Sequence, residues 1–346
     1  MRFECYHNWH ELPADSDPLF ESSSQSSLFF SRTWFETLFE TVALEKDQSL
    51  LLACVVDDDT LMALLPLVHS DQQHYRSYTH RYSALFSPVW LEQDQASILT
   101  CLVEGLRALS VRSIQLKPVD ANGSDMVNFR KVMESCGFSC QQHFSFYNWV
   151  HRTGGQSFEE YLATRPSKLR NTIARKKRKL EREHDTKIQM YMGDAVQNAL
   201  SDYHAAYSSS WKASEQYGHL LDALAVNLSQ PDWTRLAVLY IDGEPAAAQL
   251  WFVVHAKASI FRLAYDERWK QYSTGSILTA WLMQYVIDTD KVEEVDFLTG
   301  NEAYKQDWMT ERRERSVMAF VKTEKKHNRF DAMLHKLRGV LDNSST

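Results

Sequence analysis

Apolar runs interrupted by short polar turns predict two β-hairpins that lie far apart in the chain. In the first hairpin, two apolar runs flank an acidic turn at residues 57–59. In the second, two similar runs flank Asp242 and Gly243. Asp-Gly between apolar runs is a strong signal for a two-residue hairpin turn. The pattern therefore predicts two antiparallel strand pairs, one in each half of the chain.

A helical stretch and then an apolar strand follow each hairpin. Helices are predicted over residues 96–109 and 278–287, and the following strands over residues 113–117 and 292–298. The hairpin turns are 183 residues apart and the later strands 181 residues apart. Nearly equal offsets are expected for a duplicated α/β unit, although chance recurrence of hairpin, helix and strand gives the same pattern. We expect an α/β fold (α+β mixed sheet) built as two tandem lobes.

The predicted boundary between the lobes lies at the Gly154-Gly155 pair, because paired glycines favour a turn. The lobes are then residues 1–153 and 154–346. A chain of 346 residues is long for a single domain, which agrees with this division. Residues 330–340 predict a short amphipathic helix near the end of the chain.

Charge is distributed unevenly between the halves. Residues 1–150 carry 10 Lys and Arg against 19 Asp and Glu, whereas the remainder of the chain has a net charge of +2. An anionic ligand is therefore expected in the second half. Five scattered cysteines, an N-terminus without a signal-peptide pattern, and no apolar run of membrane-spanning length predict a soluble cytoplasmic protein without integral membrane contact.

A predicted strand-loop-helix corner over residues 260–278 is a candidate anion site. The helix is expected to begin near Ser273 or Thr274, with a hydroxyl side chain as its cap, and Gly275 leaves its first amides accessible. Unpaired N–H groups and the helix dipole both favour a bound anion at such a position. The alternative is an ordinary capped corner with no ligand.

A second candidate lies at the end of the predicted strand 292–298. Asp296 interrupts this apolar strand, and Glu302, Tyr304 and Lys305 follow shortly after it. Ligands of α/β sheets bind beyond the carboxyl ends of strands. A carboxylate, a phenol and an ammonium group there are suited to deprotonating an amine and holding a phosphate. The alternative is a structural ion pair between Asp296 and Lys305, with Tyr304 packed in the core.

A basic segment, residues 165–182, contains nine Lys and Arg and one acid. Leu169, Ile173 and Leu180 fall on one stripe of a helix, and the other faces are positive. Such a helix suits an RNA backbone, a phosphorylated donor or an acidic partner, although most charge runs are simply solvated.

Other chemistry lacks support in the sequence. His69, His74 and His80 have no cysteine or carboxylate to complete a zinc set, and we predict no metal site. No GxxxxGK[ST], GxGxxG or GxSxG motif is present, so ATP hydrolysis, dinucleotide chemistry and serine-esterase chemistry are not expected.

Three features in order carry a resemblance to a known group: the basic helix, the segment from Gln271 to Leu278, and the segment Asp296-Phe-Leu-Thr-Gly-Asn-Glu-Ala-Tyr-Lys305. Together they resemble the GNAT-related acyltransferases of bacterial cellulose and exopolysaccharide loci, which are similar to Fem-type aminoacyltransferases. The strong motifs cover residues 167–308, and the first lobe matches only weakly. The usual donor motif, Gln/Arg-x-x-Gly-x-Gly/Ala, is changed here, because Gly275 is offset and hydroxyl residues flank it.

The resemblance implies two tandem GNAT-like lobes, of which the N-terminal one is degenerate and the C-terminal one carries the active site. It implies an acyl-CoA donor, acetyl-CoA or longer, lying between strands 258–266 and 292–298, with its pyrophosphate at residues 273–276. The implied donor-binding residues are Ala264, Tyr265, Ser273, Thr274, Gly275, Ser276 and Lys305. The implied acceptor-binding residues are Arg170, Lys177, Trp211, Tyr265 and Asp266.

The expected reaction is N-acyl transfer to an amine of a small molecule, an amino sugar or an envelope precursor. Asp296 or Glu302 is the expected base, and Tyr304 the acid toward the leaving thiolate; Lys305 and Arg170 bind anionic groups. Two other functions stay open. In the first, the donor is an aminoacyl-tRNA, which the basic helix suits. In the second, the chain is a non-catalytic binding module with this fold.

Overall fold

The computed structural model describes residues 1–211 and 215–323. The helix predicted over residues 330–340, and the end of the predicted lobe 154–346, lie outside these residues. Within them, the strands are β1 (Arg2–Tyr6), β2 (Ser49–Asp57), β3 (Thr60–Asp71), β4 (His74–Ser77), β5 (Val89–Trp90), β6 (Ser113–Val119), β7 (Phe138–Arg152), β8 (Thr186–Tyr191), β9 (Thr234–Ile241), β10 (Glu244–Val254), β11 (Lys257–Tyr265), β12 (Glu294–Thr299) and β13 (Glu311–Lys322).

Ten α-helices pack against the sheet in the described part of the chain. They are α1 (Asp17–Ser26), α2 (Arg32–Thr41), α3 (Gln95–Ala108), α4 (Ser124–Ser135), α5 (Phe158–Ala163), α6 (Ser167–Glu183), α7 (Ala195–Ser208), α8 (Gly218–Asn227), α9 (Thr274–Asp288) and α10 (Ala303–Trp308). None of the helices in these residues combines the length and the apolar character needed to cross a membrane.

All the described strands join one mixed sheet. Its order is β1-β2-β3-β4-β6-β13-β7-β12-β11-β10-β9-β8, and β5 pairs with β3. Most neighbours are antiparallel, but β4 and β6 pair in parallel, as do β11 and β12. A large mixed sheet with helices confirms the predicted α/β fold class.

Both predicted hairpins are present. β2 pairs with β3 up to Asp57 and Thr60, and β9 pairs with β10 up to Ile241 and Glu244. In the second turn Asp242 and Gly243 both have positive φ, 53° and 84°. That is the backbone a two-residue type I′ turn requires, which explains why Asp-Gly marked this position.

The two halves exchange strands at the centre of the sheet. β13, from the second half, pairs with β6 and β7 of the first half, and β7 also pairs with β12. One hydrophobic cluster includes Phe20 and Trp34 from the first half with Leu224 and Phe261 from the second. The halves therefore share one sheet and part of one core. The predicted division at residues 153 and 154 stays a prediction.

The basic segment folds as helix α6, as its periodicity predicts. Leu169, Ile173 and Leu180 are its buried residues, which confirms the predicted stripe. These side chains join the core cluster that includes Leu278 of α9. The stripe thus fixes the basic helix beside the strand-loop-helix corner that begins α9.

Candidate active site

The parallel strands β11 and β12 separate partway along their length. They pair at only three positions, from Lys257 with Glu294 to Ser259 with Asp296. β11 then continues to Tyr265 in contact with β10, while the pairing of β12 with β7 shifts register between Asp296 and Thr299. Strands that separate leave backbone groups unpaired and open a gap between them.

A crevice of about 280 Å³ occupies this gap. Its walls are formed by β11 and β12, by the segment that follows β12, and by a loop of the first half. The lining residues are Arg81, Tyr82, Ala84, Ile260, Phe261, Arg262, Leu263, Phe297, Leu298, Thr299, Glu302, Tyr304 and Lys305. Three predicted site residues, Glu302, Tyr304 and Lys305, therefore meet on one crevice.

Lys305 holds the separated end of β12 in place. Its Nζ donates hydrogen bonds to the carbonyl oxygens of Phe297 (3.0 Å) and Thr299 (2.6 Å), and lies 3.3 Å from a carboxylate oxygen of Glu302. The side chain is buried, and this burial lowers the pKa of Lys305. The ammonium group thus satisfies carbonyl oxygens of the bulged strand and places a positive charge at the crevice.

Glu302 and Tyr304 line the mouth of the crevice from the segment that leads into α10. Gly300 has a φ of +124°, and a Cβ there would lie 2.4 Å from the Glu302 carboxylate, so this close turn requires glycine. Tyr304 is 44% exposed, and partial burial of its phenol raises its pKa to about 12. It is therefore protonated at neutral pH and available as a hydrogen-bond donor.

Asp296 is not among the lining residues of this crevice and instead lines a second cavity of about 210 Å³. Its Oδ1 accepts hydrogen bonds from the backbone N–H of Leu298 (2.6 Å) and from the side-chain amide of Asn148. Burial raises the pKa of Asp296, although these hydrogen bonds oppose the shift. Asp296 and Lys305 are not an ion pair within the described residues, since Lys305 pairs with Glu302 instead.

The helix after β11 begins at Thr274, as predicted. Ser273 occupies the N-cap position with a φ of +55°, and its side chain makes no cap hydrogen bond, contrary to the expected hydroxyl cap. Thr274 is fully buried, and its Oγ1 has no hydrogen-bond partner within the described residues. The first amides of a helix lack intrahelical acceptors, so this terminus keeps donors for a ligand.

A lysine that the sequence analysis did not single out lies beside this terminus. The ammonium group of Lys176, on α6, donates a hydrogen bond to the carbonyl oxygen of Gln271. Further along the same face, Lys179 lies 5.1 Å from the centre of the Tyr272 ring. The basic helix therefore brings positive charge next to the start of α9. Lys176 lies three residues after Ile173 and four before Leu180, so its helical spacing from the buried stripe could have marked it in the sequence.

Predicted residues at the end of β11 lie close to the same helix terminus. The Tyr265 ring would be 3.1 Å from a Cβ on Gly275, and it packs against Trp211 with ring centres 4.6 Å apart. Ala264 is buried in the sheet opposite Ala248. These residues are placed to shape the space in front of the helix, not to supply charge.

The other predicted acceptor residues lie elsewhere. Asp266 is buried and accepts hydrogen bonds from the backbone N–H and the guanidinium of Arg268. Its carboxylate therefore has a structural role. Arg170 and Lys177 are on the exposed face of α6, and neither lines the crevice. Their proposed role in acceptor binding stays a prediction.

A cluster at the crevice was missed in the sequence. Arg262 lies 4.0 Å from the centre of the Tyr82 ring and 3.3 Å from the carboxylate of Glu215. Burial alone would raise the pKa of Glu215, but the hydrogen bond from Tyr82 and the charge of Arg262 outweigh it and lower the pKa. Arg262 interrupts an apolar strand as Asp296 does, and the same signal would have found it.

Comparison with protein families gives one match, in the second half of the chain. Residues 167–306 match the acetyltransferase (GNAT) domain family. The match includes β11 and β12, which line the crevice, together with α6 and α9, and it supports a transferase. A comparison with curated protein sequences gives no match.

Solved structures resemble most of the chain in fold. The crystal structure of FemX has a TM-score of 0.63 at 10% identity, covering 92% of this chain and 97% of that one. A conserved protein of unknown function from Bacteroides thetaiotaomicron has a TM-score of 0.57 at 14% identity, with 88% and 96% covered. The C-terminal domain of a putative lysylphosphatidylglycerol synthetase from Agrobacterium fabrum has a TM-score of 0.51 at 14% identity, with 85% and 89% covered. These likenesses concern the fold alone.

Proposed function

We propose that this protein is an N-acyltransferase that transfers the acyl group of an acyl-CoA thioester to an amine. The observation that carries the proposal is the separation of β11 and β12 after three paired residues, with α9 beginning beyond the end of β11. The thioester arm lies in the 280 Å³ crevice. The donor's phosphates lie against the first amides of α9, where the helix dipole and Lys176 favour negative charge.

The reaction needs few groups from the protein. The amine nitrogen attacks the thioester carbonyl, the C–S bond breaks, and the amine loses one proton while the thiolate gains one. Asp296 is our choice of base, because it stands where the strands part and its raised pKa strengthens it as a proton acceptor. Unpaired strand amides in the gap supply hydrogen bonds to the developing oxyanion.

Tyr304 assists the leaving group by hydrogen bonding. Its pKa of about 12 is above the value of roughly 8.5 for an ordinary thiol, so full proton transfer from the phenol to the thiolate is uphill. A hydrogen bond from the phenol still stabilises the thiolate as the C–S bond breaks. Glu302, which is paired with Lys305, positions that lysine and is the weaker candidate for the base.

Titration calorimetry with acetyl-CoA, followed by an assay of thiol release with primary amines, tests the proposal. We expect saturable binding, and thiol release that depends on the amine. An acyl-chain series from acetyl to octanoyl then defines the preferred donor. If millimolar acetyl-CoA neither binds nor stabilises the protein against heat, and no longer thioester does so either, the chain is not an acyl-CoA-dependent transferase.

A second candidate donor is an aminoacyl-tRNA, and the exposed face of α6 favours it. Six basic residues are exposed on this helix: Lys168, Arg170, Arg175, Lys177, Arg178 and Arg182. Among the described residues, Lys168, Arg170 and Arg175 form no ion pair, so their charge is available to a phosphate backbone. Binding of charged tRNA that weakens steeply between 50 and about 200 mM salt would support this donor.

We infer the acceptor class from the resemblance of the motifs and the cellular compartment from the cysteines. We place the enzyme in the cytoplasm, with an amino sugar or another envelope or exopolysaccharide precursor as the acceptor class. The five cysteines are free thiols in the structure, which suits a reducing compartment. If a variant with both Asp296 and Glu302 replaced retains full function in cells, the non-catalytic alternative replaces this proposal.

A further inference from the structure

The cavity that Asp296 lines adjoins the crevice across the point where β11 and β12 part. Ser259 and Asp296, the last paired residues, line the cavity, and the next residues along each strand, Ile260 and Phe297, line the crevice. Ala84, from the first half, lines both. A donor thioester that reaches the inner end of the crevice therefore lies next to whatever the cavity holds.

Arg315 is a buried cation on this cavity with unused hydrogen-bonding capacity. The residue is 5% exposed, and its Nε and Nη1 atoms are buried with no hydrogen-bond partner within the described residues. Nη1 lies 3.4 Å from a carboxylate oxygen of Asp120, without hydrogen-bond geometry. Buried guanidinium N–H groups without acceptors are costly, so they favour a ligand that brings acceptor oxygens.

Asn148 joins Arg315 to Asp296 while keeping the two charges apart. Its side-chain oxygen accepts a hydrogen bond from Nη2 of Arg315 (3.1 Å), and its side-chain nitrogen donates to Oδ1 of Asp296. The cation and the carboxylate thus bind opposite ends of one amide, and they form no ion pair with each other in the described part of the chain. Each remains available to a separate group of a ligand.

The size and charge of the cavity restrict the ligand further. The cavity holds about 210 Å³, which is below the usual range of roughly 300–1,000 Å³ for drug-sized ligands. Its ionisable lining residues are balanced between three basic and three acidic side chains: Lys257, Arg313, Arg315, Asp120, Glu294 and Asp296. Glu294 and Arg313 already pair with each other (2.7 Å), and the remaining two basic and two acidic side chains suit a small molecule with one group of each sign better than a simple anion or cation.

We propose that this cavity is the acceptor site and that it takes a small amino acid, whose carboxylate is bound by Arg315 and whose amine is presented to Asp296. This inference rests on the proposed acyl transfer and specifies its acceptor. The ammonium group gives one proton to Asp296, the resulting amine forms the new N–C bond to the acyl carbonyl as the C–S bond of the donor breaks, and the second proton lost by the nitrogen passes through solvent to the thiolate. Arg315 is a binding residue in this scheme, and Asn148 is a positioning residue.

Wild-type protein tests the inference with three matched probes. L-Alanine has both groups, ethylamine lacks the carboxylate, and propionate lacks the amine. Calorimetry is expected to show saturable binding of alanine that is at least about tenfold tighter than that of either partial probe. Equal binding of ethylamine and alanine, or no binding of alanine and of larger amino acids such as lysine, would overturn the assignment.

Variants then locate the binding site. Arg315→Gln is expected to weaken alanine binding by about 10- to 100-fold, because a hydrogen bond to a charged group is lost. Arg312→Gln is the matched control, since Arg312 lies on the same strand but is exposed and outside the cavity. Unfolding temperatures of both variants show whether they fold. If Arg315→Gln does not fold, the three-probe comparison on the wild type decides alone.

The two proposals fail in different ways. Thiol release from acetyl-CoA with ethylamine, at the same kcat/KM as with alanine, would refute the amino acid acceptor and leave the acyltransferase proposal standing. Alanine binding without any binding of an acyl-CoA would refute the donor and leave the cavity assignment standing. If both proposals are correct, mass spectrometry is expected to detect N-acetylalanine formed from acetyl-CoA and alanine.

Discussion

Two β–α–β units in this sheet share a plan: β4–α3–β6 in the first half and β11–α9–β12 in the second. In each unit two parallel strands pair at three positions. The last pair is Arg76 with Gln115 in the first unit and Ser259 with Asp296 in the second. The strands then part in both. What fills the gap beyond the third pair differs, and that difference separates a structural unit from a candidate active site.

In the first unit the gap is bridged by the protein itself. The Ser77 hydroxyl donates to the carbonyl oxygen of Lys117 (2.9 Å) and accepts from its N–H (3.1 Å), and the N–H of Phe86 donates to the carbonyl oxygen of Pro118. In the second unit Lys305 satisfies carbonyl oxygens of β12 from the side, and the gap stays open as a crevice.

The helices of the two units also differ at their first residues. Asp94 and Ser273 occupy the N-cap positions with nearly the same left-handed φ, 51° and 55°, and neither side chain caps the backbone of its helix with a hydrogen bond. The Asp94 carboxylate neutralises the positive end of the dipole in the first unit. Ser273 brings no charge, and Lys176 adds a positive one nearby. Of these two helices, only α9 therefore favours an anion at its N-terminus.

The largest expected effect comes from the last paired residue of each unit. Asp296→Asn removes the proposed base and is expected to lower kcat by about 10²- to 10⁴-fold, the usual contribution of general base catalysis. The first unit, whose gap the protein itself bridges, is called the closed unit. Gln115→Ala, at its matching position, is expected to leave kcat unchanged. Steady-state thiol release at saturating acetyl-CoA measures both.

The pH profile adds a second readout for the same residue. The base acts only when ionised, so kcat/KM falls as the pH drops through the raised pKa of Asp296. The fall therefore occurs above the pH of about 3.9 expected for an ordinary aspartate. Residual activity of Asp296→Asn should lack this acid limb. An unchanged profile would transfer the role of base to another group, with Glu302 the next to test.

A smaller effect is expected when the helix caps are exchanged. Ser273→Asp gives the second unit (the open unit, whose gap is the crevice) the N-cap residue of the closed unit. Aspartate already adopts the required backbone conformation at position 94. A carboxylate beside the donor's phosphates is expected to raise the KM for acetyl-CoA about tenfold, because it replaces attraction at the helix terminus with repulsion. The reverse change, Asp94→Ser, should leave that KM unaltered. Equal KM values for Ser273→Asp and wild type would remove the phosphate site from α9.

Lys176 is expected to contribute less, because it is near the surface and screened by solvent. Lys176→Gln should raise the KM for acetyl-CoA by roughly two- to fivefold at low salt, and less as the salt concentration increases. Lys131→Gln, an exposed charge change on α4 in the first half, is the control. A KM that rises equally in both variants would indicate a general charge effect and no contact at α9.

Local patterns predicted several elements of the fold well. The hairpins, the buried stripe of α6 and the start of α9 at Thr274 follow from periodicity and turn residues that act within a few positions. The close positions of Glu302, Tyr304 and Lys305 in the structure were predictable for the same reason, since these residues are neighbours in the chain.

The remainder of the site depends on contacts that no local pattern contains. Tyr82 meets Arg262 across the two halves, and Arg315 reaches Asn148 because β13 pairs with β7 of the first half. Arg315 also lies in a run of charged residues, so nothing local marks it as buried. The pairing of Asp296 with Ser259 and Val150 likewise depends on strands from distant parts of the chain.

The smallest expected effect concerns stability and again contrasts Asp296 with Gln115. Burial raises the pKa of Asp296, so folding favours its protonated form. The cost of the ionised form is absent below the unfolded-state pKa, grows as the pH rises to the folded-state pKa, and is constant above it. Asp296→Asn is therefore expected to unfold about 1–3 °C higher than wild type at pH 7, with a gap that closes on acidification. Gln115→Ala should show no pH-dependent gap. An Asp296→Asn variant that is less stable at pH 7 would mean that the hydrogen bonds from Leu298 and Asn148 outweigh the cost of burial, and the carboxylate would then be a structural part of the open unit.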